Sequence, residues 1–211
     1  MSSTIIAGNA TNGLALSADN TGILELKTGT GSGTTALTLS TAQAATFAST
    51  VTVPTGTLYP LVLGTAVTAS GASVDFTNIP SWVKRITLQL DGLSYAAAGA
   101  GVIRIGSGSL STSGYAGSSA GFTNAATSVN AATTGFAGLS TSAAASTIVG
   151  AYVITLVGSN TWVCIGQATR VGDTNVVFGM GSITLGGTLD RVSVVATTST
   201  FDAGTVNILY E

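Results

Sequence analysis

Arg85-Ile86-Thr87-Leu88-Gln89-Leu90-Asp91 is the stretch that decides the fold class. Apolar and polar side chains alternate through it one by one. Ile86, Leu88 and Leu90 fall on one face, and Arg85, Thr87, Gln89 and Asp91 on the other. A period of two belongs to a pleated strand with one buried face, whereas a helical stripe repeats every 3.6 residues. Just upstream stands Ile79-Pro80, an extended or turning step, because the residue before a proline avoids the helical region. Trp82 is expected next to cap one end of a sandwich, its ring buried and its N–H free to reach a partner. Lys84 and Arg85 begin the strand, and Asp91-Gly92 offers a tight-turn signal at its end.

On either side of this stretch, short apolar runs recur between turn residues. Leu61 to Ala69, Val74 to Phe76, Val102 to Ile105, Tyr152 to Val157 and Thr161 to Ile165 all read as strands. So do Val176 to Phe178, Ile183 to Leu185, Val192 to Ala196 and Val206 to Leu209. Many short strands with frequent turns predict an all-β chain: an antiparallel β-sandwich or jelly-roll-like domain over residues 57–211. Residues 106–147 are rich in Gly, Ser, Ala and Thr, with Tyr115, Phe122 and Phe136 spaced through them. That stretch is expected to be a long surface insertion, either carrying binding or packed at an oligomer interface.

Residues 1–56 differ. They contain neither Trp nor Tyr, and Leu14-Ala15-Leu16-Ser17 is echoed by Leu37-Thr38-Leu39-Ser40. Ile23-Leu24-Glu25-Leu26-Lys27 adds another strand-like piece, and Gly29, Gly31 and Gly33 mark a turn or linker. So few short strands cannot bury one another. The expectation is an extended, strand-forming arm whose core is completed by sister arms or by another protein.

Composition then limits the chemistry. Six Lys and Arg, eight Asp and Glu and no histidine amount to 7% charge, where an ordinary soluble domain carries about a quarter. Hydrophobic residues reach 45%, enough for a core. A net charge of −2 leaves no basic footprint for nucleic acid. The most apolar stretch, Ile148 to Val157, is about half of the roughly twenty residues a spanning helix needs. Aromatics at 6% do not supply the girdles of an outer-membrane barrel, so no membrane insertion is expected. Met1-Ser2-Ser3-Thr4-Ile5-Ile6-Ala7 has neither the positive stretch nor the long apolar run of a secretory signal. The single Cys164 excludes an internal disulfide and a cysteine-based zinc site, and reads as a small buried hydrophobe.

Individual motifs add no site. Gly117-Ser118-Ser119-Ala120-Gly121 matches G-x-S-x-G, but a nucleophile elbow needs a strand before it, a helix after it and a base. No histidine exists to supply the usual base. The carboxylates at Asp19, Glu25, Asp75, Asp91, Asp173, Asp190, Asp202 and Glu211 are scattered towards strand ends, and no two stand out as a glycosidase pair. Asp173-Thr174-Asn175 could lend oxygens to calcium but lacks the EF-hand ligand series. Tyr59, Tyr95, Tyr115 and Phe122 would offer sugar-stacking rings if exposed on loops, and no glycan site is assigned to them. No catalytic, cofactor-binding or metal-binding residue is expected, and no enzyme activity.

Two segments carry a resemblance. One is Val74-Asp75-Phe76-Thr77-Asn78-Ile79-Pro80-Ser81-Trp82-Val83-Lys84-Arg85-Ile86-Thr87, continuing through Leu88 to Ser94. The other is Asp190-Arg191-Val192 with Phe201-Asp202-Ala203-Gly204-Thr205-Val206-Asn207-Ile208-Leu209-Tyr210-Glu211. Together they resemble a β-rich module of bacteriophage and prophage virion proteins of the tail-fibre type, and residues 1–56 are similar in composition to the leaders of such fibres. The resemblance implies a virion structural protein made in the bacterial host cytoplasm. Its expected form is a homotrimeric fibre-like appendage, anchored to other virion proteins through residues 1–56. The C-terminal domain would be exposed, where it could touch a host-surface glycan or receptor. A capsid decoration or cement protein whose arm clamps shell subunits is the alternative, followed by a glycan-binding or glycan-cleaving spike.

Overall fold

The computed structural model describes residues 59–172 and 175–211, together with the strands lying between residues 24 and 57. The chain divides into two units, Met1–Tyr59 and Pro60–Glu211. In the first, β1 (Leu24–Thr28), β2 (Thr34–Leu39) and β3 (Ala45–Phe47) form an antiparallel sheet in that order. Leu26 stands opposite Leu37, and Leu37 opposite Phe47, so apolar positions share one row of the ladder. A two-stranded ladder joins β4 (Thr52–Val53) to β5 (Gly56–Thr57). The Leu14-Ala15-Leu16-Ser17 copy of the echo lies outside the described residues.

The second unit is an antiparallel β-sandwich. Its strands begin with β6 (Val62–Leu63), β7 (Val67–Thr68), β8 (Ser73–Thr77), β9 (Arg85–Tyr95) and β10 (Ala100–Ser107). Next come β11 (Ser109–Leu110), β12 (Ala116–Thr123), β13 (Thr127–Ala131) and β14 (Phe136–Ser140). The long meander β15 (Thr147–Gly158), β16 (Thr161–Val171) and β17 (Asn175–Thr184) comes after them, then β18 (Arg191–Thr198) and β19 (Phe201–Tyr210). The large sheet runs β13-β12-β17-β16-β15-β9-β19-β6, with β7 also on β19. The small one runs β11-β10-β18-β8, with β14 on β10.

One hydrophobic cluster fills the space between them. Ile86, Leu88, Tyr152, Ile154 and Cys164 come to it from the large sheet, and Val74, Ile103, Ile105, Val192 and Val194 from the small one. The alternation of Arg85 to Asp91 thus faces the way its sequence predicts: Ile86 and Leu88 are fully buried, while Arg85, Gln89 and Asp91 are exposed.

Four expectations are corrected. First, Asp91-Gly92 does not end the strand. Gly92 takes a left-handed φ of 63°, and the pairing with β15 steps from Gly150↔Leu90 to Ile148↔Leu93, leaving one extra residue on β9. A glycine in this conformation makes a bulge, and a bulge reverses the in–out phase of the residues beyond it. Leu90 points inward before it; Leu93 and Tyr95 point inward after it. Second, residues 106–147 are not one surface insertion, because β12 pairs with β17 along its whole length and β14 pairs with β10. Tyr115, Phe136 and Leu139 from this stretch are core residues. Third, Tyr95 and Tyr115 are buried and cannot meet a sugar, whereas Tyr59 and Phe122 are exposed. Fourth, Leu61 to Ala69 is interrupted, giving the two short pieces β6 and β7.

The two resembling segments, about a hundred residues apart, come together in both sheets. β8 pairs with β18 (Val74↔Val194) and β9 with β19 (Leu88↔Ile208). Just past the β8–β18 ladder, the Ile79 N–H donates to the Asp190 carbonyl at 3.0 Å. Glu211 closes the other end: its carbonyl accepts from the N–H groups of Lys84 and Arg85 at 2.7 and 2.9 Å, and its carboxylate pairs with the Arg85 guanidinium. Trp82 packs partly buried on the core, its ring centroid 5.8 Å from that of Tyr210.

Candidate interaction surface

Among the described residues, several carboxylates and arginines are engaged in holding the fold. Asp75 accepts from the Ser73 hydroxyl at 2.6 Å and from Ser193 across the ladder. Asp202 accepts from Ser94. Asp190 accepts two bonds from Arg191 (2.7 and 3.2 Å) and caps the Gly108 N–H at 3.0 and 3.1 Å. The Arg191 guanidinium, aided by the Gly108 amide, holds the Asp190 carboxyl below its ordinary value. Burial pushes the Cys164 thiol up to about 12, so it is neutral and unreactive near neutral pH.

Ser119, the centre of the G-x-S-x-G match, lies inside β12 opposite Gly179 and Asn130. A residue in mid-strand, paired on both sides, is not at a strand-to-helix elbow. Asp173 and Thr174, the start of the calcium possibility, lie outside the described residues. Among the described residues, no three His, Cys, Asp or Glu side chains converge as metal ligands, and no helix is long and apolar enough to cross a membrane. A groove of about 270 Å³ runs between the β12–β13 hairpin and β14, with Ser119, Ser128, Asn130, Ser140 and Asn175 among its neutral lining.

The surface that stands out is the outer face of the large sheet. Along β15, β16 and β17 the residues between the core positions are themselves largely apolar: Val149 and Val157, Val163 and Ile165, Val176, Phe178 and Met180. Cross-strand register gathers them, with Val153 opposite Ile165 and Ile165 opposite Met180. On β12 the exposed Phe122 ring meets Phe178 edge-on at 5.8 Å. Val129 of β13 is 70% exposed, Ile165 60% and Met180 51%. None of the outward residues of β12, β17, β16 and β15 is charged. Charge begins only at β9, with Arg85 and Asp91.

The small sheet presents the opposite character. Arg104, Ser193 and Asp75 lie in one cross-strand row on its outer side, with Arg191 beside them, and the Arg104 Nε donates to the Thr134 carbonyl at 2.8 Å. The outer face of the small sheet is therefore polar and ion-bearing, whereas the part of the large sheet's outer face made by β12, β17, β16 and β15 is uncharged and largely apolar.

The sequence contained the signal for the apolar face. Ile148 to Val157 is a nearly continuous apolar run, and strands that read this way are covered on both faces. Measured only against a membrane helix, the run is too short, and the second apolar face goes unread.

No family of proteins, no curated protein and no solved structure matches this chain.

Proposed function

We propose that the chain is a non-enzymatic structural protein of a bacteriophage virion, a fibre-like appendage built from several copies, with homotrimer as the expected form. Residues 1–56 would attach it to other virion proteins, and the sandwich would stand exposed. The observation that carries the reading is the division of labour among side chains. Bonded carboxylates such as Asp75, Asp202 and Glu211 tie strands together, while the broad free surface is largely apolar and suited to contact. The virion context comes from the two resembling segments, which form one joined unit of strands spanning both sheets.

The second reading, a capsid decoration protein, draws on the same surface, since an apolar face can lie on a shell as well as on sister copies. Electron microscopy of purified particles carrying a label on Glu211 separates them. Label at the tail supports the appendage and sinks the decoration protein, and label over the shell does the reverse. Particles without label overturn both. Release of shortened chains from host polysaccharide incubated with the protein would overturn the non-enzymatic part.

A further inference from the structure

We infer that the outer face of the large sheet is where this chain packs against a second copy of itself. This goes beyond the proposed function, because a face that meets its own image closes a two-fold pair and not a three-fold ring; it rests on that reading only in requiring more than one copy.

Extent is the first argument. Four adjacent strands spaced ~4.8 Å apart, each of about ten residues rising ~3.3 Å, give an uncharged face on the order of 600 Å² before β13 is added. A standard interface takes roughly 800 Å² from each partner, and the largest apolar patch of an ordinary monomer spans about 300–600 Å². The face as a whole, with Thr155, Thr161, Gln167, Thr169 and Ser182 set among its apolar side chains, is thus near the extent that a stable pair requires.

Charge selects the occupant. A partner bearing charges would have to desolvate them against Ile165, Met180 and Phe178, where nothing could pair them. An identical face brings none and meets no repulsion. At the middle of the patch, in the row Phe178–Gln167–Ala151, stands an amide. An amide both donates and accepts, so Gln167 is complementary to its own image. Two such faces stack as sheets do, about 10 Å apart with side chains interdigitated, extending the two-layer sandwich by a third and a fourth layer. The outer face of the small sheet, with Asp75, Arg104 and Arg191, would stay in water.

The test uses the full-length chain. Light scattering of the wild type is expected to give an even multiple of the single-chain mass, and a mass of three chains would overturn the inference while leaving the multi-copy reading in place. Ile165→Glu combined with Met180→Glu places two carboxylates side by side on the face, outside the core. It should weaken self-association at least about a hundredfold while leaving the β-type circular dichroism and a cooperative melt intact.

A second measurement works even if that variant folds badly. Cys164 is buried, so a single added thiol reports alone. The thiol of a Met180→Cys chain should be protected from alkylation at high protein concentration and exposed on dilution. That of a Thr77→Cys chain, on the small sheet, should react freely throughout.

A wild type that is a single chain at every concentration overturns both this inference and the multi-copy reading. Where the wild type is multimeric, free alkylation of Met180→Cys overturns only the inference, with the copies joined elsewhere. Protection that survives dilution to single chains also overturns it, since the chain's own residues 1–56 would then cover the face.

Discussion

Replacing Gly204 by alanine tests whether the doubly bulged pairing of β9 and β19 sets the inner face of the large sheet. Gly204 has a φ of 99°, and a Cβ built on it would lie 2.4 Å from the Gly92 carbonyl oxygen and 2.5 Å from the Leu93 Cα. Both neighbours are backbone, so neither can swing away as a side-chain end would. The left-handed conformation costs a non-glycine residue roughly 1–2 kcal/mol. Overpacking against a fixed neighbour adds about 1–3 kcal/mol. Alanine also narrows the unfolded ensemble, which returns about 0.4–1 kcal/mol.

The net loss is therefore about 2–4 kcal/mol, a large part of the ~5–15 kcal/mol that holds a domain together. For a protein of this size that lowers Tm by about 5–15 °C. Gly92 supplies the internal control. Its φ is 63°, but a Cβ there meets nothing within 4 Å. Gly92→Ala therefore carries the conformational cost without the clash, and its net loss is about 1 kcal/mol or less. Thermal melts followed by circular dichroism, with urea midpoints at unchanged m-value, measure both. Equal losses in the two variants, or a Gly204→Ala chain within about 1 kcal/mol of wild type, would refute the idea that backbone crowding at this bulge is rigid.

Other expectations rest on individual groups. The Tyr115 hydroxyl accepts the Ile105 N–H at 3.0 Å, so Tyr115→Phe strands a buried donor and should cost about 1–3 kcal/mol in chemical denaturation. Tyr152 is the contrast: among the described residues its buried hydroxyl has no partner, so Tyr152→Phe should be neutral or stabilising by up to about 1 kcal/mol. The buried Cys164 thiol, pushed up to about 12, should react with a thiol reagent at mildly alkaline pH no faster than the chain unfolds. A rate that tracks thiolate concentration in the native state would contradict its burial. Asp190 has a folded pKa below its ordinary value of 3.8, so its contribution is present above that value and fades as pH falls through the lowered one. Because its side chain is 38% exposed, Asp190→Asn should lower stability only slightly at neutral pH, and the difference from wild type should vanish in strong acid.

The period-two stretch from Arg85 to Asp91 was legible because one face is buried and the other wet. Beyond it legibility fails at Gly92, for a definite reason. Asp-Gly signals a hairpin when the chain turns back and a bulge when the strand continues, and the choice is made by β15 and β19 on either side. The resulting phase reversal is why Tyr95 is a core residue and not a loop aromatic. β12 and β14 escaped for another reason. Ala116-Gly117-Ser118-Ser119-Ala120-Gly121 has none of the branched or aromatic residues that favour strands, and its extended shape is imposed by the ladder to β17. In the candidate surface, the apolar character of Val149, Val163, Ile165 and Phe178 is plain in the sequence. Their position on the solvent side is not, because a strand apolar on both faces does not say which face is inward.

The pairing of β8 with β18 and β9 with β19 has a consequence for the order of events during synthesis. β9 lies inside the large sheet, yet one of its two neighbours, β19, is made after every other strand of the sandwich. A chain halted between Thr184 and Arg191 can form the meander but cannot complete either sheet, since β18 and β19 are still missing. Contacts across such separations form late and slowly. Any exposed meander would meanwhile be held open, with Ile165 and Met180 on one side and the unfinished core on the other. The scarcity of charge that suits the finished surface thus makes the nascent chain prone to aggregate, and the emergence of β18 and β19 is itself the step that shuts the core.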